Sequence, residues 1–115
     1  QDPWEAFETG ILATLEICAR ADIQRIVFQE APNVIGAATW REIEMQYAFG
    51  VMQQTINSLA ATKKIHAPDP DLVAQILLGA VIQAAHGVAT SNSKRKALTN
   101  AQSTVSRIVR ALRTD

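Results

Sequence analysis

The sequence predicts an all-α domain: an antiparallel bundle of about five helices whose last two form a dimeric four-helix bundle. Three observations predict it. Apolar residues recur at three- and four-residue spacing in several separate stretches, as they do along one face of a helix. Helix starts stand in the chain at Asp2-Pro3, Thr39-Trp40-Arg41-Glu42 and Asp69-Pro70, combining a capping side chain with proline or a reciprocal glutamate. No run alternates apolar and polar residues as a half-buried strand does, and there is no internal repeat.

The first helix begins at Asp2-Pro3-Trp4-Glu5, and Trp4, Phe7, Ile11, Leu15 and Cys18 give it one apolar stripe that ends near Ala21-Asp22. Gly10 inside it costs about 1 kcal/mol relative to alanine. Asp22 can cap a short second helix through Ile23, Ile26 and Val27. Pro32 disfavours helix at Ala31 and Gly36 adds a break, so Phe28 to Ala38 is expected to be a connector holding about one helical turn. Thr39 to Glu42 reads as a capping box opening a long helix to Lys63 or Lys64. One row on that helix is Trp40, Ile43, Tyr47, Val51, Gln54 and Ser58, with Phe49, Met52, Ile56 and Leu59 beside it.

From Leu72 to Ser93 no residue carries a full charge, and Gln75, Gln83 and His86 are the large polar side chains before Thr90. A helix apolar nearly all round is buried on both sides. Its length, about 20 residues or roughly 30 Å, would reach across a bilayer. The two glutamines, the histidine and the small residues dilute its hydrophobicity, and no aromatic or basic belts flank it, so the reading is of no membrane. After the Ser91-Asn92-Ser93 break, Leu98, Ala101, Val105, Ile108 and Leu112 step by three and four, a seam of the kind that pairs helices. A domain this small buries roughly 65% of its unfolded surface, which leaves too little chain to wrap such a helix. A second copy is the simplest cover. The expected dimer face is Leu77, Ala80, Val81, Ala84 and Val88 with Leu98, Ala101, Val105, Ile108 and Leu112.

The chain has 115 residues, 11 Lys and Arg against 11 Asp and Glu, and one Cys. That is one domain. The single cysteine excludes an internal disulfide framework and suits a reducing compartment. Zero net charge argues against these residues binding nucleic acid by themselves. No signal peptide is evident at the start. His66 and His86 have no Asp, Glu or Cys at a ligand spacing, so no metal site or cofactor is expected. Cys18 has neither base nor orienting group, Glu42 and Glu44 point to different sides of a helix, and no catalytic residue is expected. Lys94-Arg95-Lys96 reads as a solvated turn. Trp4, Phe7, Phe28, Trp40, Tyr47 and Phe49 all fall in the first half. This divides the chain into an aromatic half, 3–64, able to enclose a small molecule, and an aliphatic half, 69–114, able to pair chains.

The phrase Arg25-Ile26-Val27-Phe28-Gln29-Glu30-Ala31-Pro32-Asn33-Val34-Ile35-Gly36, followed by Trp40-Arg41-Glu42-Ile43, resembles the C-terminal domain of TetR-family transcriptional regulators. Asp2-Pro3-Trp4 and the stretch from Asp71-Leu72-Val73 to Leu77-Leu78-Gly79-Ala80 resemble the same family, and the likeness runs over nearly the whole chain. It implies an effector-binding and dimerisation domain of a bacterial, cytoplasmic regulator. The helix-turn-helix domain that reads DNA, and the linking helix behind it, would precede Asp2. DNA would therefore be reached only through that absent part. The resemblance implies a small apolar or aromatic effector within the earlier helices. The lining expected from helical phase is Phe7, Ile11, Phe28, Trp40, Ile43, Tyr47 and Val51, with Gln83 and His86 as polar contacts.

Overall fold

In a computed structural model, residues 2–114 are described, apart from the side chain of Phe28. The order is α1 (Pro3–Cys18), α2 (Ala21–Ile23), a π-helical run (Gln24–Glu30), α3 (Ala31–Ile35), α4 (Ala37–Ala61), α5 (Pro70–Thr90) and α6 (Lys94–Arg110). The described residues form no sheet, and a single isolated antiparallel bridge joins Ile65 to Arg113.

Two starts form as the sequence predicts. Asp2 Oδ1 accepts from the Trp4 amide at 3.2 Å, and Asp69 Oδ1 accepts from the Leu72 amide at 3.1 Å, each with proline in the first turn. The third does not. The long helix starts at Ala37, directly after Gly36, whose φ of 92° breaks the chain direction. Thr39 therefore lies inside the first turn and caps nothing, because the helix is entered at Gly36, three residues earlier than a Thr39 cap requires.

The expected connector is also mostly helical. Pro32 does not interrupt the chain, because the run before it is π-wound: the Ala31 amide reaches back five residues to the Ile26 carbonyl. That shift puts Pro32 in the first turn of α3, where no N–H is needed. Arg25 and Glu30, five apart, face each other at 3.5 Å on this wider winding. The buried Gln24 amide donates to the Ala19 carbonyl and ties the run to the end of α1.

At its other end α4 stops at Ala61, before the two lysines. Lys63 donates to the Ala60 carbonyl and Lys64 to that of Leu59, closing a Schellman motif with Lys63 in the left-handed region at φ 61°. Lys94 is more than a solvated side chain: its Nζ donates to the Ala89 and Ser91 carbonyls at 2.9 and 3.1 Å, capping the end of α5.

One core joins four helices and the turn before α5. α1 contributes Trp4, Phe7, Ile11 and Leu15; α4 contributes Ile56 and Leu59; α5 contributes Ala74, Leu77, Val81 and Ala85; α6 contributes Val105 and Val109; Ile65 closes the end. Trp4 and Phe7 pack edge to face, with centroids 5.7 Å apart. α5 is long and apolar enough to cross a membrane by length and composition, with a mean hydropathy of 1.7. In the fold it packs against α1, α4 and α6.

Candidate effector cleft

The first half of α4 runs alongside the middle of α5. Ala38, Arg41, Glu42 and Met45 recur at helical spacing on one side, and Gly79, Ile82 and Gln83 face them from the other. Together they line an open cleft of about 520 Å³, within the range of small-molecule sites. Met45 and Ile82 are its half-buried apolar residues, and Gly79 is exposed in it. A Cβ placed at Gly79 would have nothing within 4 Å. The glycine thus serves no close helix contact inside the chain.

A second group of polar residues lies nearby. Glu44 is half-buried, and burial pushes its carboxyl above the ordinary range, opposed by the positive charges of His86 and Arg41. Burial also raises the Cys18 thiol, and the Glu44 charge raises it further. The end of α1, the front of α4 and the far end of α5 are electrostatically coupled through these residues.

Of the lining expected from the sequence, Gln83 lies in the cleft. Phe7 and Ile11 are 8% and 7% exposed and belong to the packed core and not to this cleft. Tyr47 and Val51 are 81% and 69% exposed, and Ile43 is exposed with them. The row chosen on α4 is thus the outer one. The inner row is Phe49, Met52, Ile56 and Leu59, the more apolar of the two, whereas the outer row ends in Gln54 and Ser58. That contrast was the signal available in the sequence. Trp40 is half-buried, His86 is exposed but coupled to Glu44, and the Phe28 side chain lies outside the described residues. Sequence reasoning missed Ala38, Arg41, Glu42, Met45, Gly79 and Ile82, and only the otherwise unexplained Gly79 pointed to them.

The expected dimer face needs a similar correction. Leu77, Val81, Val88 and Val105 are buried by their own chain, and Leu77, Val81 and Val105 belong to the core shared with α1 and α4. Ala80, Ala84, Leu98, Ala101 and Leu112 are half-buried, and Ile108 is 49% exposed. The apolar residues of α5 that remain outside are Leu72 and, at 60% exposure, Ile76.

The sequence profile of the tetracyclin repressor-like C-terminal domain matches residues 4–112. The fold is similar to the crystal structure of a TetR-family transcriptional regulator from Pectobacterium atrosepticum, with 25% identity and a TM-score of 0.87. That match covers 100% of this chain and 58% of the other, so the chain spans under two thirds of its relative. A search of curated proteins gave no match. With a profile match across almost all of its length and the same helical order in a solved regulator, the chain belongs to the TetR family of transcriptional regulators, as a C-terminal domain of that family.

Proposed function

We propose that this domain homodimerises and binds a small apolar or aromatic effector in the α4–α5 cleft, and that the effector modulates DNA binding by a helix-turn-helix domain of the parent regulator, a bacterial and cytoplasmic protein. The observation that carries the dimer is the apolar surface left on the last two helices. They run antiparallel from the Ser91–Ser93 turn, and Ile76 and Ile108 stand at equal sequence distance from it, both exposed. With Leu72 and the half-buried Ala80, Ala84 and Ala101 they supply an apolar, small-residue face for a twofold mate.

The effector acts as a population shift. It favours whichever dimer geometry it binds more tightly, and only that difference in affinity is available to change the DNA-reading state. α5 serves both ends of the scheme, since Gly79, Ile82 and Gln83 line the cleft while Ile76 and Ala80 lie on the proposed face. A second reading, a dimerisation module without a ligand, draws support from Phe7 and Ile11, which pack into the core instead of lining a pocket.

Light scattering combined with a thermal-shift screen separates the two. The effector reading expects a dimer mass and a melting temperature that climbs with the logarithm of ligand concentration for some aromatic compounds. A dimer indifferent to every compound would favour the module, and a well-folded monomer would overturn both.

A further inference from the structure

The outside of α5 is one continuous stripe. Leu72, Ile76, Gly79, Gln83, Gly87 and Thr90 are exposed, and they recur at three- and four-residue spacing along one side of the helix. Two of them, Gly79 and Gln83, also line the α4–α5 cleft. A body seated on Ile76 and Gly87 therefore covers Gly79 and Gln83 between them, and with these part of the cleft.

Size and charge say how a second copy lies on the stripe. The stripe is about 27 Å long and about 10 Å wide, which offers about a third of the roughly 800 Å² per partner of a stable interface. The copy must spread onto a flank, and α4 and α6 both pack on α5. Every charged residue of α6 is basic, and Arg95, Lys96, Arg107 and Arg110 are exposed. A twofold operator that set α6 on its own mate would oppose these charges at a cost in affinity. On the α4 side, residues 45–62 contain no Asp, Glu, Lys or Arg, and Arg41 and Glu42 in the cleft cancel in sign. The operator that crosses α6 of one copy onto the α4 side of the other meets no net positive charge there.

We propose that in the dimer α6 of the second copy lies over the α4–α5 cleft, so that the effector site is complete only when two chains are paired. The proposal rests on the dimer and effector readings above and adds that the partner supplies the missing side of the site. A molecule held between α4 and α5 of one chain and α6 of the other binds each dimer geometry with a different affinity, which is what a population shift requires.

The test places single thiols on the 115-residue chain in a Cys18→Ala background. Ala38→Cys lies in the cleft on α4, and Ala13→Cys is an exposed control on α1. With light scattering confirming the dimer, a small charged thiol reagent should modify Ala38→Cys about tenfold more slowly than Ala13→Cys. In a chain that also carries Ile76→Asp and Ile108→Asp the difference should vanish, because a single copy leaves the cleft open. Mixed with a Thr104→Cys chain, whose thiol is exposed on α6, Ala38→Cys should be joined to it by a short bismaleimide, while Thr104→Cys alone should not be joined to itself. Equal rates at Ala38→Cys and Ala13→Cys in a confirmed dimer would overturn the closure and leave the effector reading standing, since an open cleft still admits a ligand. Self-joining of Thr104→Cys without the mixed product would overturn the placement of α6. A double-aspartate chain that stays dimeric, or a parent chain that is monomeric, would overturn the proposal together with the dimer face. Protection of Ala38→Cys in a dimer that no compound stabilises would support the closure and remove the effector.

Discussion

The Glu8 carboxylate and the Arg110 guanidinium meet across α1 and α6 in a two-pronged contact, with Nε donating at 2.6 Å and Nη2 at 3.3 Å. Ser106 Oγ donates to the same carboxylate at 2.9 Å, and the Glu8 side chain is only 15% exposed. The Arg110 hydrogen bond, aided by Ser106 and opposed by burial, holds Glu8 below the ordinary carboxylate range. A carboxyl depressed in the folded state stabilises the fold above its unfolded pKa, about 4.3, and loses that contribution as pH falls through the folded value. Glu8→Gln should therefore cost about 1 kcal/mol at pH 7, after allowing for the solvent around Arg110. The difference from the parent chain should shrink as pH falls below about 4. Urea unfolding midpoints at both pH values check this.

Lys63 occupies the left-handed C′ position of the α4 cap without the glycine that suits it. Lys63→Gly should raise stability by about 0.5–1 kcal/mol, the relief of the side-chain clash less the added freedom of the unfolded chain. At Gly36 the reverse holds. Its φ of 92° and ψ of 142° are foreign to alanine, and Gly36→Ala should lower stability by about 1–3 kcal/mol. Thermal melts of the two variants should move in opposite directions.

Val105 and Ile108 lie on the same helix but have opposite fates. Val105 is 4% exposed within its own chain, and Ile108 is half exposed. Val105→Asp should remove about 3–5 kcal/mol by burying an unpaired charge, and circular dichroism should show a melted or aggregated chain. Ile108→Asp should leave the helical signal and melting of the protomer intact and reduce the mass seen by light scattering to that of one chain. A folded Ile108→Asp dimer would move the interface elsewhere.

Cys18 should be a slow thiol. Burial raises its pKa first and the Glu44 charge adds to the effect, so little thiolate is present at neutral pH. Glu44→Gln should speed its reaction with a disulfide reagent at pH 8 by about two- to threefold, measured against the same chain unfolded in urea.

Most of the fold was legible because local chemistry and packing agree along most of the chain. Asp2-Pro3 and Asp69-Pro70 start helices where capping rules put them, and the Trp4 to Leu15 stripe is the face that is buried. Reading failed where two local signals competed. Pro32 looks like a break because the π winding that accommodates it has no recognisable sequence signature. Thr39 looks like a cap because a glycine three residues ahead of a sound capping box gives no warning of where the chain turns. The cleft was harder still. On α4 two apolar rows lie side by side, and the more apolar one, Phe49, Met52, Ile56 and Leu59, is turned to the core while Tyr47 and Val51 face outward. On α5, Leu77 and Val81 look like spare apolar surface until α1 and α4 are laid against them.

The segment 62–69 and the residues after α6 are stitched together by backbone bonds. His66 donates to the Leu112 carbonyl at 2.8 Å and Thr114 to that of Lys64 at 3.3 Å, while the Arg113 guanidinium lies 5.3 Å from the centre of the Trp4 ring. Trp4 is the second residue of α1, so the start of α1 is anchored directly on the stitched tail. A fusion partner or tag attached behind Thr114 would strain that same anchorage, whereas one joined through the exposed Asn92 corner would leave it slack.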